Sequence, residues 1–168
     1  NNRLYVVPSP DRRSHAVGLQ FDHVTDGVFD RGGKANNQIE ARRVAQAVVE
    51  HARNTPDLSL GVGTFSVSQR EAVRFELELL LRDEPGLQEF FATGREEPFF
   101  VKNLENIQGD ERAVIFISIG YGKDASGYMA MSFGPLSNDG GERRLNVLIS
   151  RARERCEVFS SITADDID

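Results

Sequence analysis

Hydrophobic and polar positions alternate between two periods along this chain, and the switches mark its elements. Leu4-Tyr5-Val6-Val7 is a short apolar strand stopped by Pro8-Ser9-Pro10. Gly18 to Val24 alternates apolar and polar residues and predicts a second strand. A turn-rich loop, Thr25 to Asn36, leads to Asn37-Gln38-Ile39-Glu40. This pattern is a capping box that opens a helix to about Arg53, with Ala41, Val44, Ala45, Val48 and Ala52 as its buried stripe. Leu58 to Phe65 reads as a strand, and Ser66-Val67-Ser68-Gln69 caps a helix running to about Arg82. A looser connection then leads to the apolar run Phe99-Phe100-Val101, and Asn103 to Gln108 predicts one short helical turn. Val114-Ile115-Phe116-Ile117-Ser118 is a continuous apolar run of the kind buried on both faces. After a glycine-rich loop, Gly120 to Asp139, Asp139 and Glu142 read as a third capping box. The helix behind it is expected to reach Arg155, with Cys156 to Phe159 as a last strand.

Strands that alternate with helices, several of them doubly buried, predict an α/β fold: a mainly parallel open sheet with helices on both faces. Ligands of such sheets bind where connecting loops gather at the carboxyl ends of the strands. Three loops, around residues 63–70, 101–112 and 140–155, are expected there.

Composition narrows the class. The 168 residues are 39% hydrophobic and 27% charged, enough for one domain with a sizeable core. No apolar run approaches membrane-spanning length, so no membrane partner is expected. The single cysteine, Cys156, excludes an internal disulfide and a cysteine metal site, and favours a cytoplasmic setting. The chain does not begin with methionine, and we read it as a fragment of a longer one. Net charge is −6, yet the stretch from Glu142 to Arg155 holds five arginines and two glutamates. Any contact with nucleic acid must therefore be local.

Those arginines are the first candidates for chemistry. With Arg144 at the origin of a helical wheel, Leu145, Leu148, Ile149 and Ala152 fall within roughly 40° to 140°. Arg151 falls near about −20° and Arg153 near about 180°, on the two flanks of that arc. Two other candidates fail. Gly32-Gly33-Lys34-Ala35 lacks a phosphate loop's earlier glycine, Val28 standing there, and its Ser or Thr after the lysine. Asp22, His23, Asp26 and Asp30 match no metal loop and read as turn residues, so no metal site is expected.

Arg143-Arg144-Leu145-Asn146-Val147-Leu148-Ile149-Ser150-Arg151-Ala152-Arg153 resembles the sixth motif of superfamily 1 helicases, in the nonsense-mediated-decay and Dna-two-like branch. Thr64 to Arg70 resembles the fourth motif, with Gln69-Arg70 as the matching pair. Asn103 to Glu111 resembles the fifth. Gln108, Gly109 and Glu111 agree there, while Asn103, Glu105, Ile107 and Ala113 depart from the usual residues. Asn37 to Ala41 also matches an N-x-x-E-A segment of the family.

The resemblance implies a second RecA-like domain, a three-layer sandwich of the P-loop NTPase type, spanning 1–168. Residues 1–57 hold the opening strands, loop and first helix, and 58–168 the motifs. It implies ATP and Mg2+ held mainly by a first RecA-like domain of the same chain, and a single-stranded DNA or RNA partner. Arg151 and Arg70 are then the arginine fingers. Gln69, Gln108, Gly109 and Glu111 face the nucleotide, and Thr64 and Asn103 the nucleic acid. The fragment alone is expected to hydrolyse almost no ATP. The alternatives are a helicase-derived scaffold uncoupled from ATP, or a metal-dependent nuclease using Asp22, His23, Asp26 and Asp30.

Overall fold

A computed structural model describes residues 17–137 and 141–167. The strand expected at Leu4–Val7 and the Asp139 cap lie outside these residues. The elements are β1 (Gly18–His23), α1 (Gln38–Asn54), β2 (Leu60–Thr64), α2 (Val67–Leu81), β3 (Phe100–Asn103), β4 (Arg112–Ser118), α3 (Gly141–Ile149) and β5 (Ala152–Ser160). Five strands form one sheet in the order β1-β5-β4-β2-β3, and every pairing is parallel. The sheet is the expected parallel α/β arrangement.

Burial explains the order. All residues of β2 and β4 are buried, as continuous apolar runs in a parallel sheet require. On one face Val44, Ala45 and Val48 of α1 and Val73 and Leu77 of α2 pack on Val62, Phe116 and Phe159. On the other face Leu148 of α3 joins Ile107, Ile115, Ile117 and Cys156. Helices therefore cover both faces. Cys156 is buried, and burial pushes its thiol up to about 12, so it packs as an inert small side chain. Gly63 sets how closely α3 sits, because a Cβ there would lie 2.7 Å from Leu148 Cδ1.

Two expectations are corrected. The third helix ends at Ile149, and Arg153 and Arg155 lie on β5. Residues 152–160 pair with β4 on one side and β1 on the other, and those two ladders outweigh the local helical pattern. The wheel angles therefore do not describe Arg151 and Arg153. The second correction concerns the ends of the strands. In a parallel sheet each connection travels from one strand's carboxyl end to the next strand's amino end. Glu111 immediately precedes β4 and Arg151 immediately precedes β5, so both sit at the amino end. Of the three loops expected to carry chemistry, only the Thr64–Arg70 connection and the first residues after β3 lie at the carboxyl end.

Candidate functional site

At the amino end, two connections meet. Gly109 has φ +89°, a left-handed conformation that turns the chain between Gln108 and Glu111. The Arg112 N–H donates to Arg151 O (3.1 Å), tying the start of β4 to the turn before β5. Glu111 and Arg151 form an ion pair at 3.6 Å, and Arg151 Nε donates to Val147 O at 3.2 Å. Residues forty positions apart are thus brought together.

Arg112 braces this arrangement. Its guanidinium lies 4.7 Å from the centre of the Phe100 ring and donates to Pro98 O and Glu111 O. Beside it, Arg153 grips Glu97 through two hydrogen bonds of 2.5 and 2.6 Å, and Ser59 donates to the same carboxylate. Arg153, foremost among these, holds Glu97 down to about 2. A groove of about 440 Å³ runs along α3, lined by Leu104, Glu105, Gln108, Arg143, Arg144, Val147 and Arg151. Its three arginines are planar, permanent cations suited to phosphate, and Glu111 at its rim is a carboxylate suited to a sugar hydroxyl.

The remaining candidates are at the carboxyl end. Thr64 and Asn103 are cross-strand partners, both buried. Thr64 Oγ1 donates to Ser66 O, and Asn103 Oδ1 accepts from Asn106 Nδ2. Arg70, in the first turn of α2, bonds Glu71 at 2.8 Å. Gln69 is fully buried. Its Oε1 accepts from Asn37 N, and its Nε2 donates to Asn37 O and Ser118 Oγ. The structure therefore unites Gln108, Glu111 and Arg151 on one side, and Thr64 and Asn103 on the other.

Glu40 does more than its capping box predicts. Asn37 does cap α1 by accepting from Glu40 N, but the Glu40 carboxyl turns inward. It accepts from Ser118 Oγ and Gly120 N, both at 2.7 Å, and from Ser161 Oγ at 3.5 Å. Burial pushes it up to about 7, against the lowering effect of those hydrogen bonds. Both N3 residues, Glu40 and Gln69, leave the reciprocal half of the capping box for tertiary partners. The one available signal was an acidic residue inside an otherwise apolar helical stripe.

The glycine turn and the aspartates of the first loop make local contacts. The Lys34 N–H donates to Asp30 Oδ2, and a Cβ at Gly33 would meet that carboxylate at 2.4 Å, so this glycine turn wraps its own aspartate. Asp22 pairs with Arg43 at 2.9 Å, and among the described residues no His, Cys, Asp or Glu cluster could hold a metal ion. No helix among them is long and apolar enough to cross a membrane.

Comparison with known proteins extends these findings. The chain is 35% identical over 176 aligned residues to an uncharacterized ATP-dependent helicase of Mycoplasma genitalium. It is 38% identical over the same length to that protein's homolog in Mycoplasma pneumoniae. Each alignment covers 99% of this chain but 15% of the relative, so the chain spans a small part of the curated relatives it matches. A solved structure, the C-terminal domain of a possible DNA helicase from Lactobacillus plantarum WCFS1, superposes with a TM-score of 0.48 at 12% identity. That superposition covers 90% of this chain and 77% of the other. Residues 8–163 match the AAA domain family, and the chain belongs to it.

Proposed function

We propose that this chain is the second motor domain of an ATP-dependent helicase or translocase acting on single-stranded nucleic acid. Its similarity over nearly its whole length to proteins named ATP-dependent helicase supports that class. The observation that carries the reading is the meeting of Glu111 and Arg151, from two separate motifs, beside Gln108 and a groove lined by arginines.

The groove fits a nucleotide's phosphates in charge. It does not supply a magnesium site, since the described residues hold no acidic cluster. A first RecA-like domain of the same polypeptide would hold most of the ATP and its Mg2+. Bound there, MgATP supplies the phosphoryl group that is transferred to water. Arg151 donates charge-assisted hydrogen bonds to the developing charge, and it stands at the groove's rim where a docking domain can reach it. Glu111 holds Arg151 until then and afterwards offers its carboxylate to the ribose. Arg70, the other expected finger, stands at the carboxyl end of the sheet and is held by Glu71, so it would meet the bound nucleotide away from the phosphoryl group that Arg151 serves. Arg74, one turn further along α2, borders Phe100 to Lys102 of β3, and Leu104 to Gln108 follow that strand into the groove. A nucleotide touched by both arginines therefore lies along the open edge of β3, and the first domain docks on that edge.

The test is made on the intact polypeptide. Arg151→Ala is expected to lower nucleic-acid-stimulated ATP turnover about 100-fold or more, with strand binding retained. Unchanged turnover refutes the assignment, and normal turnover with lost binding moves Arg151 to the strand.

A further inference from the structure

Two loops at the carboxyl end, 24–36 after β1 and 119–133 after β4, are joined by contacts that none of the motifs accounts for. The Phe29 N–H donates to Lys123 O at 2.9 Å, and the Phe29, Tyr121 and Phe133 rings pack in a row, the first pair tilted at 5.6 Å and the second edge-on at 5.8 Å. Beside them Asp124 builds a tight turn. Its Oδ1 accepts from Ser126 N, Ser126 Oγ and Tyr128 N, while its own N–H donates to Tyr128 O. Gly127, at φ +84°, completes the turn. The result is to hold Tyr128 outward, 59% exposed.

Arg31 reaches across from the other loop. Its guanidinium lies 4.3 Å from the centre of the Tyr128 ring and 3.6 Å from Asp124. Among the described residues it has no other polar partner, and no second ring covers Tyr128. The neighbouring carboxylates are occupied locally: Asp30 by Lys34 N, Asp124 by its own turn, Asp166 by Lys123 and Thr163.

We infer that Tyr128, backed by Arg31, is a stacking platform for one base of a single strand crossing the carboxyl end of the sheet. A phenol ring with one face on a cation and the other in water suits any base, because every base has a π-face. A duplex, whose bases are already stacked, has no such face to offer. Arg31 stands beside the ring to meet a backbone phosphate. Thr64 and Asn103 lie at this same end. The inference rests on the proposed single-strand motor, and it adds a contact lying between the fifth and sixth motifs.

The probe is a fluorescein-labelled oligothymidylate, titrated by anisotropy against the intact polypeptide without nucleotide. Tyr128→Leu, which keeps an apolar side chain but no ring, is expected to weaken binding about tenfold. Tyr128→Phe should stay within about twofold of the wild type, since the ring is kept. A 5-iododeoxyuridine strand should cross-link to the peptide holding Tyr128. Wild-type affinity in the leucine variant, or equal losses in both variants, overturns the platform while leaving the motor reading intact. Failure of the wild type to bind the strand overturns both.

Discussion

The side-chain amide of Gln69 holds both backbone groups of Asn37, accepting from its N–H at 2.8 Å and donating to its carbonyl at 3.2 Å. The start of α2 is thereby locked to the start of α1, where both residues are buried. Gln69→Ala leaves the buried Asn37 N–H without this partner and should cost about 2–4 kcal/mol in urea denaturation. A loss below about 0.5 kcal/mol would show that the clamp is not structural.

Glu40 makes stability depend on pH in an unusual direction. Its carboxyl is raised from 4.5 to about 7 on folding. The proton is therefore bound more tightly in the native state, and the associated stability is fully present below about 4.5 and lost as pH rises through about 7. The loss is on the order of 3 kcal/mol by mildly alkaline pH. Glu40→Gln, neutral throughout, should flatten that slope in a denaturation series across the same window. An unchanged slope in the variant rules Glu40 out as the source.

Gly63 makes room for α3. Alanine there would place its Cβ 2.7 Å from Leu148 Cδ1 and 3.2 Å from Ile107 Cδ1. Gly63→Ala should destabilise by about 1–3 kcal/mol and push α3 off the sheet. Amide exchange in residues 141–149 should rise above that in α1; uniform change in both helices would point to global destabilisation instead.

Arg153 sits two residues from Arg151 but is already engaged. Arg153→Ala should release the Glu97 carboxyl from about 2 toward its ordinary 4.5, visible as a shifted carboxyl resonance in an acid titration. Because the folded value is depressed, the pair's contribution exists above about 4.5 and fades as pH falls toward 2. Both side chains are partly exposed, so the cost at neutral pH is at most about 1 kcal/mol. ATP turnover by the intact polypeptide should stay within about twofold, in contrast to Arg151→Ala.

The sheet was legible because β2 and β4 are buried along their whole length and β1 alternates, and these patterns depend only on the identity of the side chains. α1 and α2 were legible from Asn37 and Ser66, whose caps form as expected. The end of α3 was not legible. Ala152-Arg153-Glu154-Arg155 suits a helix locally, and what makes it a strand is the vacancy between β4 and β1, both of which lie far earlier in the chain. For the same reason the motif wording grouped Gln69 and Arg70 with Glu111 and Arg151, while the chain path puts the pairs at opposite ends of the sheet. The inward turn of Glu40 depends on Ser118, Gly120 and Ser161, and no local pattern contains them.

All seven residues of β4 are buried, and the strand joins the two ends of the sheet, from Arg112 beside Arg151 to Ser118 beside Gln69. A strand packed on every side cannot bend locally, so its ends form a ruler of fixed length, about 20 Å. Whatever binds at one end can change the position of the other only by moving the whole domain.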